Sequence, residues 1–588
     1  MRRFMKLLLI PSGIAMMLSL LNAEMLSLLN ADKIELVLFL LIGLIVGVLL
    51  NLSKVDSCTF GGKIEKVIGI VLAFILCVLD SQYFFNTWVV SSTLKSLLSH
   101  LFTTPETGLI VLSAMVGLAG FPVLAYVMVI AVTWLIRMCK IIKLKKIINI
   151  VKEKTCLHMV LKSTTAVVLN LIVAAGLGTL LLWAVYCLPI DSIEQHVRSS
   201  AVTIQEEGVY PRLYSWCHSQ LDNWTDSIML LEAADATDAS ALEKAMLAYR
   251  GTIDDSNPAE TLIAHYIQNV EFTRTTDYAR YWHGYLVALK PLLSFFDYST
   301  IRIINGAVQF IALLLVCVLM KRKGLNPYII PYILCYLILM PIAMAKSFQF
   351  SSCYYVFTAG TIALLLLKDS TRSRLAYLVF LNIGIMTAYV DFLTYPIATF
   401  GVPAIVGVAL SRDNNLEEKL IEIVRNGILW CLGYGGMWGA KWIIASITTG
   451  HNVFTNALDA FTSRTSTLSV DGLTQYSVFI CEIMNYTRFI KTPFIIFVII
   501  FCVYVFIKHI RHHNFSHEWV LAISLPYTII SFAPMVWYAF ATNHSYIHYW
   551  FTNKACVVTL AALLFGITDL SQNTLRKTIS NKELKEKR

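Results

Sequence analysis

Charge is scarce in this chain. Of 588 residues, 14% are Asp, Glu, Lys or Arg and 57% are hydrophobic, where a soluble protein carries about 25% charged residues. The apolar residues come in continuous runs without period-2 alternation, which disfavours a membrane β-barrel and favours helices. The thirteen cysteines form no CxxC pair. Most, such as Cys77, Cys317, Cys335 and Cys502, lie inside apolar runs, as small hydrophobes do. Cys187 and Cys217 could meet outside a membrane, although spacing alone establishes no disulfide. P-loop, G-x-S-x-G, HExxH and Gly-rich dinucleotide motifs are all missing. If the chain is a transferase, its donor is expected to be something other than a soluble nucleotide used inside, and a donor carried on a lipid fits. The net charge of +10 lacks the basic stripe with aromatics that a nucleic-acid surface needs, so no nucleic-acid partner is expected.

What is present is hydrocarbon-loving sequence in spans of bilayer length. About fourteen transmembrane helices are expected, near 7–23, 35–51, 66–82, 108–137, 164–187, 301–320, 326–345, 353–367, 375–390, 395–410, 426–448, 492–508, 518–537 and 553–568. The loops with Lys54 and Lys63, 140–154, Lys321 to Lys323, Lys368, Arg412 and Lys419, Lys508 and Arg511, and the tail from Arg576 are basic, hence cytoplasmic. They alternate with a second, outer set, so both termini should lie inside. The fold class expected is an all-α polytopic membrane protein. A membrane region at 1–160 precedes a membrane domain at 161–570 and a basic tail at 571–588. The outer loops include one large polar segment, 188–300, with helix-like stretches at 239–250 and 258–270, and a second at 449–490. The echo MLSLLNA at 17–23 and 25–31 is too short to define a repeat.

Three polar strings fall on the outer side: Asp222-Asn-Trp-Thr-Asp226, Arg280-Tyr-Trp-His283 and Asn543-His544-Ser-Tyr-Ile-His548. Ionisable residues at one face of a membrane bundle are costly and usually functional. Asp222 and Asp226 are spaced to share a helix face. They could supply a general base or hold a divalent cation, or merely cap a helix. Asn223-Trp-Thr225 also matches a glycosylation sequon. Arg280 suits a phosphate, and its aromatic neighbours suit a sugar face or an interfacial belt. Lys346, Asp391, Lys441 and Arg464 lie on the same side, where snorkelling explains one lysine better than the set. Gly435 and Gly439 form GxxxG, most simply a helix-packing motif. His544 and His548 are four apart, and no third zinc ligand is evident. The histidines 509, 512, 513 and 517 read as solvated loop residues.

The layout, together with the strings SQLDNWTDSIML, RYWHGYLVALKPLL, DFLTYP, GYGGMWGAKW and NHSYIHYWFTNK, resembles the bacterial GT-C-type membrane glycosyltransferases that use polyprenyl-phosphate-linked sugars. The resemblance covers roughly 160–570. It implies a GT-C-like helical bundle in the plasma membrane whose large first outer loop carries an acidic catalytic residue. Family members often place that acid close to the end of the first span, where Asp191 stands here. Asp226, Asp222 and Asp191 are thus the candidate bases. Arg280, Lys346 or Lys441 would neutralise the lipid phosphate, and His283, His544 and His548 would bind sugar or phosphate, with Asp391, Arg464 and Asn543 completing the pocket. The partners implied are a polyprenyl-phosphate-linked sugar donor, a glycan or lipid acceptor and membrane lipids. An envelope polysaccharide polymerase or ligase, and a lipid or solute transporter, are the alternatives.

Overall fold

The computed structural model describes residues 157–586, apart from 215–216, 368–373, 412–414, 470–474, 506 and 508–516. The four expected spans at 7–23, 35–51, 66–82 and 108–137, the echo at 17–31, and His509, His512 and His513 lie outside the described residues.

Helix α1, Leu157–Tyr186, carries the first described apolar run. Helices α2, Ile190–Glu207, α3, Asn223–Ala233, α4, Ala241–Leu247, and α5, Pro258–Tyr266, form the polar segment with strands β1, Arg250–Thr252, and β2, Arg274–Thr276. Local sequence explains these helices. Asp222 caps α3 and Ser240 caps α4, each accepting the backbone N–H three residues on. Asn257 and Glu260 form a reciprocal capping box on α5, with Pro258 at its first position. β1 and β2 pair antiparallel, Gly251 opposite Thr275. That ribbon is a small departure from the all-α expectation.

The chain returns through α6, Leu286–Leu293, and α7, Tyr298–Arg322. Then follow α8, Ile329–Ile338, α9, Pro341–Lys346, α10, Phe348–Leu366, α11, Arg374–Val390, α12, Ile397–Leu410, and α13, Leu416–Thr449. The remainder is α14, Val453–Thr465, α15, Val478–Ile490, α16, Ile495–Val505, α17, His517–Ser531, α18, Ala533–Phe540, α19, Thr542–Ile547, α20, Tyr549–Thr552, and α21, Val557–Glu586.

Among the described residues, five helical stretches are long and apolar enough to cross a membrane: Thr164–Tyr186, Tyr298–Arg322, Phe348–Leu366, Ala522–Phe540 and Tyr549–Gln572. α15 and α16, bent by 87° to one another, make a sixth if read as one span. Apolar side chains left on the outside, such as Ile172 (63% exposed) and Ile303 (74%), suit a hydrocarbon surround. Sequence expectation and structure part at 326–345. That run is broken between α8 and α9, where Met340 takes a left-handed φ of 59° and Pro341 opens the next helix. Proline has no N–H to continue the α8 ladder and fits a first helical position. The expected spans at 375–390 and 395–410 contain the shorter apolar helices Tyr377–Val390 and Ile397–Leu410.

The loops assigned to the outer set meet at one end of the bundle. There the Asp222 N–H donates to Ser347 Oγ (2.9 Å) and the Gly284 N–H to the Tyr389 carbonyl (2.8 Å). Far from these contacts along the helices, the Tyr328 and Tyr527 hydroxyls donate to the two oxygens of Asp569, at 2.9 and 3.1 Å. Packing of α11 on α13 is glycine-dependent. A Cβ at Gly384 would lie 2.2 Å from the Trp430 carbonyl oxygen, and one at Gly433 would lie 2.1 Å from that of Leu381. Gly435 and Gly439, the pair in the GxxxG string, face open space instead, because they lie on the other side of the helix from Gly433.

We expect Gly433→Val or Gly384→Val to cost more than about 3 kcal/mol. Gly435→Ala and Gly439→Ala should stay within about 0.5 kcal/mol of the parent. Thermal denaturation and size-exclusion chromatography in detergent check both. A stable Gly433→Val protein would show that the helices do not pack this closely.

Candidate functional site

The densest charged cluster joins α2, α3, α7 and α9. Arg302, one turn into α7, is 5% exposed. Its Nη1 donates to Glu207 Oε2 at 2.9 Å and its Nη2 to Asn223 Oδ1 at 2.9 Å. Lys346 Nζ, its side chain 40% exposed, donates to the other Glu207 oxygen at 3.1 Å. Asn223 Nδ2 reaches the Gly208 carbonyl (2.7 Å) and Glu207 Oε2 (3.2 Å). Asn223 is thus buried and bonded, which removes the glycosylation reading of the sequon. Burial alone would raise the Glu207 carboxyl. The Arg302 charge and the hydrogen bonds from Arg302, Asn223 and Lys346 outweigh it and hold Glu207 below its ordinary value.

Asp226 lies beneath this cluster, with no exposure. The Gln349 N–H approaches its Oδ1 at 3.4 Å, while Oδ2 lacks a well-placed donor among the described residues. Burial pushes the Asp226 carboxyl up to about 7; the Arg302 charge opposes that rise and the Asp222 charge adds to it. Asp222 is the cap of α3: Thr225 donates its N–H (3.1 Å) and its hydroxyl (2.7 Å). Burial lifts Asp222 to about 6 against those two bonds. The two aspartates therefore differ in duty, one a helix cap and the other a fully buried acid met by the Tyr298 hydroxyl and the Gln349 N–H.

Beside this cluster is a cavity of about 520 Å³, lined by Glu207, Arg302 and Lys346 at one end and by Ile303, Ala307 and Ile342 at the other. It is charged where it meets the loops and apolar along the start of a membrane-length helix. The residues do not fit a divalent cation, since the Arg302 charge already stands against Glu207 and Asp226. Among the described residues, no group of three or more His, Cys, Asp or Glu side chains is arranged to hold a metal ion.

The other expected site residues are distributed around this end rather than gathered in one chamber. Asp191 is exposed in the first turn of α2, about 24 Å along the helix from Glu207 at 1.5 Å per residue. An acid there complements the helix dipole. Lys441 is fully buried and donates to the Ala245 and Met246 carbonyls at 3.2 and 2.9 Å, capping α4. His283, at a left-handed φ of 55°, places Nδ1 3.0 Å from Glu232 Oε2, and Arg250 stands 3.9 Å from the other oxygen. Tyr285 also donates to Glu232. Asp391 is buried, accepting the Thr394 N–H on both oxygens (3.2 and 3.0 Å) and the Cys353 thiol (3.3 Å). Arg280 lies over the Tyr278 ring at 4.4 Å and donates to Asn456 (3.0 Å). Arg464 Nη1 approaches His544 Nδ1 (3.2 Å) and His548 Nε2 (3.4 Å). Asn543 donates to the Leu468 carbonyl, which fixes the neighbouring loop. Cys187 and Cys217 are free thiols.

Sequence reasoning missed Glu207, Arg302 and Glu232. Arg302 carried a usable signal, because an arginine just inside a span is rare without a role. Glu207 and Glu232 carried none, being two acids among many in the polar segment. No protein-family model matches the chain, and no curated protein or solved structure matches it.

The Asp226 carboxyl, with a folded value near 7 and an ordinary value of 3.8, gives stability that is fully present below about pH 4 and is lost as pH rises through about 7. Asp226→Asn, neutral throughout, should melt progressively higher relative to the parent as pH goes from 5 to 8, by several degrees. Parallel melting curves across that range would show Asp226 to be ionised throughout.

Proposed function

We propose that this protein is a membrane-embedded glycosyltransferase that moves a sugar from a polyprenyl-phosphate carrier to an envelope glycan or lipid at the extracytoplasmic face of a bacterial plasma membrane. The observation that carries the reading is the cavity beside Arg302. It has two cations at one end and an apolar wall at the other, the chemistry of a phosphate on a hydrocarbon chain. The absence of nucleotide motifs from the sequence agrees with a donor carried on lipid.

In this reading the donor phosphate exchanges with Glu207 for Arg302 and Lys346. Arg302 offers two donors in one plane, the geometry a phosphate accepts. The acceptor hydroxyl attacks the anomeric carbon, the carbon–oxygen bond to phosphate breaks, and its electron pair leaves on the lipid phosphate. The hydroxyl proton passes to Asp226, whose raised value suits a base near neutral pH. Reaching it requires Arg302 to move, which the incoming phosphate favours by competing for the guanidinium. Asp191 and Lys441 take no part.

The test is transfer of radiolabelled sugar from polyprenyl-phosphate donors in proteoliposomes. Asp226→Asn should lower kcat by about 100-fold or more. Lys346→Gln should raise the donor KM by about 10-fold with membrane insertion intact. Near-normal transfer by both variants would remove this reading. Solute or lipid movement without covalent transfer would replace it with transport.

A further inference from the structure

A second cationic cluster lies at the same end, and it differs from the first in having no carboxylate. Among the described residues, neither Arg464 nor Arg280 has an acidic side chain within ion-pair distance, whereas Arg302 and Lys346 share Glu207. Both arginines act electrostatically on the buried Tyr281. Arg464 closes α14, and a helix C-terminus accounts for one arginine there. It does not account for the histidines. His544 Nε2 stands 2.8 Å from the Leu393 carbonyl. A carbonyl only accepts, so Nε2 carries the proton and the Nδ1 lone pair receives the Arg464 N–H. His548 Nε2 receives the same Nη1 at 3.4 Å. One guanidinium nitrogen is thereby held by two imidazoles. Its Nε and Nη2 have no acceptor among the described residues. Leu393, whose carbonyl anchors His544, sits at a left-handed φ of 65°; a leucine in that conformation is strained.

Aromatic rings continue from this cluster toward the first. Trp550 lies 6.4 Å from His548, Tyr210 meets Trp550 edge-on at 5.1 Å, and Trp224 stacks on Tyr210 at 6.4 Å. Tyr210 and Trp224 are 43% and 37% exposed, and Asp222 lies close enough to act on the Tyr210 hydroxyl. Interfacial belts use aromatic rings spread around a bundle. Here they touch in series, as a surface for sugar rings would.

We infer that Arg464, held in place by His544 and His548, is a second anion site whose remaining guanidinium donors take the phosphate of a phosphorylated saccharide, with the sugar on Trp550, Tyr210 and Trp224. Its role as the acceptor site rests on the transferase reading; the binding itself does not. If both substrates carry phosphate, the sugar passes to a phosphorylated acceptor rather than to a neutral one.

The experiment is calorimetric titration of the full-length protein in phosphatidylcholine nanodiscs with glucose 1-phosphate, inorganic pyrophosphate and glucose. The Lys346→Gln background weakens anion binding in the first cavity, so any loss on further substitution is read against that background. Glucose 1-phosphate and pyrophosphate should bind and glucose should not. Adding Arg464→Gln should weaken both anions by about tenfold or more. Adding Trp550→Leu should weaken glucose 1-phosphate alone. Should Arg464→Gln fail to give a monodisperse protein, His548→Leu serves in its place, with the same expected loss. Unchanged binding in these variants overturns the site. Binding in phosphatidylcholine that vanishes in phosphatidylglycerol nanodiscs would assign the site to a membrane headgroup, which also overturns the saccharide assignment. Transfer that fails in the Lys346 and Asp226 variants while this binding persists, or the reverse, separates the two proposals.

Discussion

One guanidinium organises the polar end of this molecule. Arg302 enters from a membrane-length helix and bonds to the end of α2 through Glu207 and to the start of α3 through Asn223, both at 2.9 Å. An ammonium group could not hold both in one plane. Burying a guanidinium is costly unless it is paired and hydrogen-bonded, and here it is both. The same charge opposes the rise that burial imposes on Asp226. Removing it would leave Asp226 without a cation against it and Glu207 with Lys346 and Asn223 alone.

Two groups of cationic side chains at this end are bonded differently. Lys290, Lys441 and Lys554 donate to backbone carbonyls of Ala233, of Ala245 and Met246, and of Leu339. Each carbonyl belongs to the last turn or cap of a helix, where a cation meets both the dipole and unpaired acceptors. These lysines tie the polar segment and the span ends together. Arg302, Lys346 and Arg464 differ, because a cavity lies against the first two and two imidazole lone pairs hold the third. Bonding partners separate the two kinds.

Much of the architecture was legible in sequence because hydropathy and loop charge are strong, additive signals. The helical runs and the common side of their polar loops follow from them. The Asp222 string was legible as a helix start, and Pro258 as another. Breaks were not: Met340–Pro341 lies inside one apolar run, and only the left-handed residue there reveals the corner. Nor did spacing show that Lys441 meets α4, or that Gly433 rather than Gly435 faces α11, since both depend on how helices rotate when packed. The partners of Arg302 come from segments separated by 95 and 79 residues, and pattern reading carries no information at that range.

The proposed function requires Arg302 and Lys346 to exchange Glu207 for a lipid phosphate. The most direct measurement is a cryo-electron-microscopy structure of the full-length protein in nanodiscs with farnesyl phosphate. The account predicts phosphate density between Arg302 and Lys346, the prenyl chain along Ile303 and Ile342, and Glu207 turned away. Glu207 still bridging both cations, with the lipid bound elsewhere or not at all, would contradict it.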